Sequence, residues 1–198
     1  MNKKTFSAIL TLLSLLALSL TASAQEKAQD KAPKPETIST GTKLVVTKLK
    51  IGEGYAFDVR GKATFTLSAA NMDDTVAGTI VYTIPVDARQ KVAEITGKPL
   101  AQIPESVTVK DVVAGFQKAT SCPTVLLEFS PMDIDIAGVK SHFNRFVLDI
   151  KEGPSEMAQL FCVWTRQINN GRSRRGVIAR VNGILNGEPD PNMAPPIK

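Results

Sequence analysis

Apolar and polar residues alternate along most of the chain, and the alternation sets the first expectations. Tyr55, Phe57, Val59, Ala63, Phe65, Leu67 and Ala69 occupy odd positions, with Gly61 in the missing odd slot. Asp58, Arg60, Lys62, Thr64, Thr66 and Ser68 fill the even ones. A period of two over this length predicts a long strand with one face buried, and Gly61 is the expected place for a bend or bulge. The same alternation recurs in Val45, Thr47, Leu49 and Ile51, in Val76, Ile80, Tyr82 and Ile84, in Val125, Leu127 and Phe129, and in Met132, Ile134 and Ile136. Further strands are predicted around Phe146-Leu148-Ile150 and Leu160-Cys162-Trp164. A hairpin turn at Asn170-Gly171 then leads back from Arg174 to Leu185.

The period changes after the third strand. Asp87-Ala88-Arg89-Gln90 has the spacing of a capping box, Val92 and Ile95 follow one helical face, and Gly97 and Pro99 end it. Thr108 to Phe116 is read as a second helix with Val112, Val113 and Phe116 inward, a strand being the competing reading. Strands on either side of a short helical insert predict a mainly β (α+β) domain. The expected form is an antiparallel curled sheet, barrel or sandwich of seven to eight strands.

The ends of the chain differ in character. Lys3 and Lys4 precede an apolar run from Ala8 to Leu20, and Ala22-Ser23-Ala24 supplies small residues in an A-x-A arrangement. Residues 1–24 therefore read as a secretory signal peptide, since a run of about 13 residues falls short of the roughly 20 that a spanning helix needs. Residues 25–42 are charged and nearly without large apolar side chains, and read as a flexible linker. Residues 43–185 form the β-rich domain, and residues 186–198, with four prolines, form an extended tail. The expected location is periplasmic or extracellular, with no transmembrane segment after cleavage.

Composition narrows the chemistry. The 198-residue chain carries a formal charge of +5. Loss of residues 1–24 removes Lys3 and Lys4 and no acid, leaving +3, too mild for a nucleic-acid binder. One histidine and two cysteines leave little material for a metal site, and no phosphate loop or dinucleotide fingerprint occurs, so no cofactor is expected.

Four groups of residues carry candidate chemistry. In an oxidising compartment Cys122 and Cys162 are expected to form a disulfide, closing a loop of about 40 residues that stabilises the fold by roughly 4 kcal/mol. Arg172, Arg174 and Arg175, flanked by Arg166 and Arg180, form the densest positive charge in the chain and suit phosphate or carboxylate partners. Asp133 and Asp135 share one strand face about 6.6 Å apart, and His142 is the only imidazole; these three make an alternative polar site. Trp164 and Tyr55 lie on the apolar parity of their segments and are expected in the core. The leading expectation is an exported, non-enzymatic envelope protein that binds a small apolar or anionic ligand or docks on a protein partner. The alternative is an exported hydrolase of a glycan or ester, using Asp133 and Asp135, or His142 with a distant serine.

Overall fold

The alternating segments pair in chain order as antiparallel neighbours. In the computed structural model, which describes residues 35, 37–117, 124–151 and 156–188, the strands are β1 (Lys43–Ile51), β2 (Gly54–Ala70), β3 (Thr75–Thr83), β4 (Ser106–Phe116), β5 (Thr124–Phe129), β6 (Met132–Ile136), β7 (Val139–Phe143) and β8 (Phe146–Lys151). They form one sheet in the order β6-β7-β1-β2-β3-β4-β5-β8, curled into a half-barrel. Among the described residues three α-helices accompany it, α1 (Val86–Thr96), α2 (Glu156–Asn169) and α3 (Arg175–Asn186). Residues 1–24, Cys122 and the tail beyond residue 188 lie outside the described residues.

The curl brings the last strand back towards the first. β8 pairs with β5, yet the N–H of Gly41, just ahead of β1, donates to the Asp149 carbonyl at 3.1 Å, and Lys43, the first residue of β1, reaches the Asp149 carboxylate at 3.8 Å. The linker's isoleucine, Ile38, is buried beside this junction's strand, with its carbonyl accepting from the Leu67 N–H. Five aromatic rings cross the interior in series, Phe65 to Phe129, Phe129 to Phe146, Phe146 to Phe143, and Phe143 to Tyr82, at centroid separations of 4.8–5.4 Å. Rings at such separations attract beyond their buried area, so the series ties β2, β5, β8, β7 and β3 together.

Bulges decide where the alternation holds. Val59, Ala63, Phe65 and Leu67 point inward as the odd parity predicts. Near the start of β2, Leu49 faces Phe57 while Lys50 faces Tyr55, so Ala56 is an extra residue and Tyr55 turns outward, 41% exposed. Tyr55 is thus corrected from core to surface. Ser68 is the second extra residue, after which Ala70 rather than Ala69 is buried. Gly61 has a different job from the expected bend. The Tyr82 ring lies against it, and the Gly61 N–H donates to the Tyr82 hydroxyl at 3.0 Å.

Residues 106–116 form β4, not a helix. Gly78 faces Val112 and Ile80 faces Val109, so Lys110 and Asp111 together oppose Thr79, with Asp111 at φ 57°. This bulge converts the period of two into the spacing Val109, Val112, Phe116, which imitates a helical face. The opposite correction applies at the C-terminal end, where the expected strands around Leu160 to Trp164 and Arg174 to Leu185 are α2 and α3. Met157, Leu160, Phe161, Trp164 and Thr165 are buried on α2, a spacing of three, four, seven and eight that only a helix places on one face. On α3 the inward residues are Val177, Ile178 and Val181.

The helix ends follow backbone chemistry. At the expected Asn170-Gly171 turn, Gly171 adopts φ 62°, its N–H donates to the Ile168 carbonyl and the Arg172 N–H donates to the Gln167 carbonyl. This pair of bonds closes a helix rather than a hairpin. Gly97 likewise ends α1 in the left-handed region, as its position predicts. The capping box at Asp87 does not form, because α1 begins two residues earlier than that box requires, with Pro85 at its N-cap and no side-chain cap.

Candidate functional site

Two turns meet at one end of the half-barrel. The β2–β3 turn, Asn71 to Asp74, is tightened by the Asn71 N–H on the Thr75 carbonyl at 2.8 Å and by the Thr75 hydroxyl on Asp73 at 2.7 Å. Asp74 holds φ 62°, a left-handed conformation that aspartate tolerates better than most side chains. The α2–α3 turn, Asn170 to Arg174, lies against it.

Asp74 joins the turns. Its carboxylate takes both faces of the Arg174 fork, Nε to Oδ1 at 2.8 Å and Nη2 to Oδ2 at 2.7 Å, and also accepts the Trp164 indole N–H at 3.1 Å. A bidentate guanidinium–carboxylate pair fixes orientation as well as distance. Arg174 in turn donates from Nη1 to the Arg172 carbonyl at 3.2 Å. About two helical turns further along α3, the Asn182 amide pairs with the Ala70 backbone in both directions, at 2.7 and 2.9 Å, so β2's end is clamped to α3.

The joined turns frame a cavity of about 370 Å³ lined by Met72, Gly171, Arg172, Ser173, Arg174 and Arg175. No acid is among these residues. Arg174 is committed to Asp74, whereas Arg172 and Arg175 are exposed and make no ion pair among the described residues. The first backbone N–H groups of α3 open beside them without a side-chain cap, adding partial positive charge. Of the five arginines in the sequence cluster, the structure brings Arg172, Arg174 and Arg175 to one cavity. Arg166 and Arg180 stand on α2 and α3 and do not line it.

The second group of candidates sits on the outer face of β6 and β7. His142 lies opposite Asp133, and the His142 Nδ1 to Asp133 Oδ1 distance is 2.7 Å. Tyr55 reaches the same oxygen at 3.5 Å and its ring lies 5.5 Å from the imidazole. Partial desolvation and the Asp133 carboxylate raise the Tyr55 phenol above its ordinary pKa. Asp135 instead accepts the Gly138 N–H in the β6–β7 turn at 2.6 Å. Ser141 is buried on the opposite face, so it is not a nucleophile for His142. The described cavities do not include Asp133, Asp135 or His142. A larger groove of about 780 Å³ runs over β4 and β5, past Val113 and Gly115, with Glu128 and Arg145 paired at its side.

Cys162 is half-buried on α2 and is not a free thiol; Cys122 lies outside the described residues. Sequence reasoning missed Met72, Ser173 and above all Asp74. The polar turn Asn71 to Asp74 between two alternating strands marked a surface loop, but nothing local marks its arginine partner 100 residues away. No protein-family model, no curated protein and no solved structure matches the chain.

Proposed function

We propose that this is an exported, non-enzymatic β-rich envelope protein that holds an anionic group in the cavity between its β2–β3 and α2–α3 turns. The observation that carries the reading is the Asp74–Arg174–Trp164 junction. It commits one arginine to structure and thereby presents Arg172 and Arg175 around a cavity without acidic residues. Anchoring the turn that carries the cations before the ligand arrives reduces the ordering cost of binding. Phosphate and carboxylate groups are the ligands whose charge and planar or tetrahedral oxygens suit guanidinium donors.

Isothermal titration with inorganic phosphate tests the binding. Binding is expected to weaken with salt and to fall at least about tenfold in R172A/R175A, one decade corresponding to about 1.4 kcal/mol. R166A, which lies off the cavity, should bind like the parent. Equal affinity in parent and double variant would remove the proposal.

Export belongs to the same reading. Cleavage after Ala24 and a Cys122–Cys162 bridge are expected in protein recovered from its exported compartment. The intact denatured mass should then match a chain that starts at Gln25 and lie two hydrogens below that of the same chain after reduction; a full-length mass unchanged by reduction would oppose it. A hydrolase remains the second reading, with the 2.7 Å contact between His142 and Asp133 in its favour.

A further inference from the structure

The rim of the arginine cavity carries an apolar side chain that anion binding leaves unexplained. Met72, at the apex of the β2–β3 turn, is 58% exposed and lines the same cavity as Arg172 and Arg175. We infer that this tip docks on an anionic phospholipid surface, with a headgroup phosphate between Arg172 and Arg175 and Met72 inserted among the acyl-chain ends nearest the headgroups. The inference rests on the anion-binding reading and names its ligand.

The chemistry separates a lipid surface from a soluble anion. A bilayer presents a layer of phosphates directly above an apolar layer, and interfacial binding sums apolar burial with attraction to anionic headgroups. Arg172, Ser173 and Arg175 match the first layer, and the neighbouring Met72 matches the second. A free phosphate offers nothing to Met72. Asp73, the acid on the same turn, has its carboxylate turned to the Thr75 hydroxyl at 2.7 Å. The rigidity of the tip supports the arrangement, because Asp74 and Asn182 fix both turns to the sheet before contact. No helix among the described residues is long and apolar enough to cross a membrane, and one side chain with two cations gives weak, reversible docking.

Co-sedimentation of the full chain with vesicles tests the inference, using phosphatidylcholine alone and phosphatidylcholine with about 30% phosphatidylglycerol. The parent is expected to bind only the anionic vesicles and to leave them at about 0.5 M salt. Each arginine contributes about fivefold, so R172A/R175A should bind about 25-fold more weakly. M72S, at an exposed position where folding is checked by circular dichroism, should bind about tenfold more weakly while keeping the parent's affinity for inorganic phosphate. Vesicle binding unchanged in M72S or in R172A/R175A would overturn the inference. Phosphate binding without vesicle binding would also overturn it while leaving the anion site standing, and would point to a soluble anion or an acidic protein. Failure to bind either would overturn both readings.

Discussion

Replacing Gly61 with alanine is expected to destabilise the fold by about 3 kcal/mol or more, from overpacking together with a lost buried hydrogen bond. A Cβ there would lie 2.5 Å from both the Thr83 carbonyl oxygen and the Tyr82 hydroxyl. The carbonyl belongs to the β2–β3 ladder and cannot retreat without breaking it. The Tyr82 ring is fully buried, packs edge-on against Phe143, and contacts Thr47 at 3.2 Å, so it has no free direction either. A thermal melt should show G61A lower by roughly 10 °C, given about 2–4 °C per kcal/mol in a body of this size. Gly54→Ala is the control, since a Cβ at that position meets nothing within 4 Å, and its midpoint should not move.

The same tyrosine makes the fold sensitive to alkali. Burial raises the Tyr82 phenol above its ordinary value of 10.0, against the lowering effect of its bonds with Thr47 and Gly61, and with a smaller raising contribution from Asp87. With the folded pKa above the unfolded one, the unfolded chain releases its proton first. The stabilisation is complete below about pH 10 and is lost as pH rises through the folded pKa. Urea midpoints measured above pH 10 should fall in the parent and fall less in Tyr82→Phe.

Removing the Asp74 carboxylate is expected to damage stability and binding together. Asp74→Ala leaves the Arg174 guanidinium and the Trp164 indole N–H without their shared acceptor. The two charged side chains are 22% and 30% exposed, between the surface pairs that contribute little and the buried pairs whose breaking costs about 3–5 kcal/mol. A loss of about 2–3 kcal/mol follows, including the strain of alanine at φ 62°. Trp164 is the only tryptophan, so its emission should shift to the red as water reaches the indole. Phosphate affinity should drop as the α2–α3 turn loses its anchor. Asp74→Asn tolerates the left-handed backbone and should recover part of the stability but little of the pairing with Arg174. An Asp74→Ala protein with unchanged emission, melting point and phosphate affinity would mean that the junction does not organise the tip.

Most of the sheet was legible because inward and outward residues alternate on β1, β3, β5, β6 and β8 and through the middle of β2. Legibility failed where backbone geometry, which a residue pattern does not record, breaks the period. Extra residues at Ala56 and Ser68 invert parity at the ends of β2, and the bulge at Lys110 and Asp111 gives a strand the spacing of a helix. α2 was mistaken for the converse reason. Leu160, Cys162 and Trp164 alternate locally, while the longer series Met157, Leu160, Phe161, Trp164 and Thr165 carries the helical period. A window of eleven residues separates the two; a window of five does not.

The candidate site was half legible. The arginines were visible as a cluster because they adjoin in the sequence, but their supports are long-range. Asp74 meets Arg174, and Ala70 meets Asn182, only after the helices fold back on the β2–β3 turn. Which arginine is structural and which face solvent is decided by that packing. The Asp133 and His142 contact was likewise hidden until β6 and β7 paired in register.

A phosphate titration followed by backbone amide NMR tests the central claim most directly, because it reports position as well as affinity. The account predicts saturable shifts at Arg172, Ser173, Arg175 and Gly176 that vanish in R172A/R175A. Shifts centred instead on Asp133, His142 and Tyr55, or no saturable shift anywhere, would contradict it.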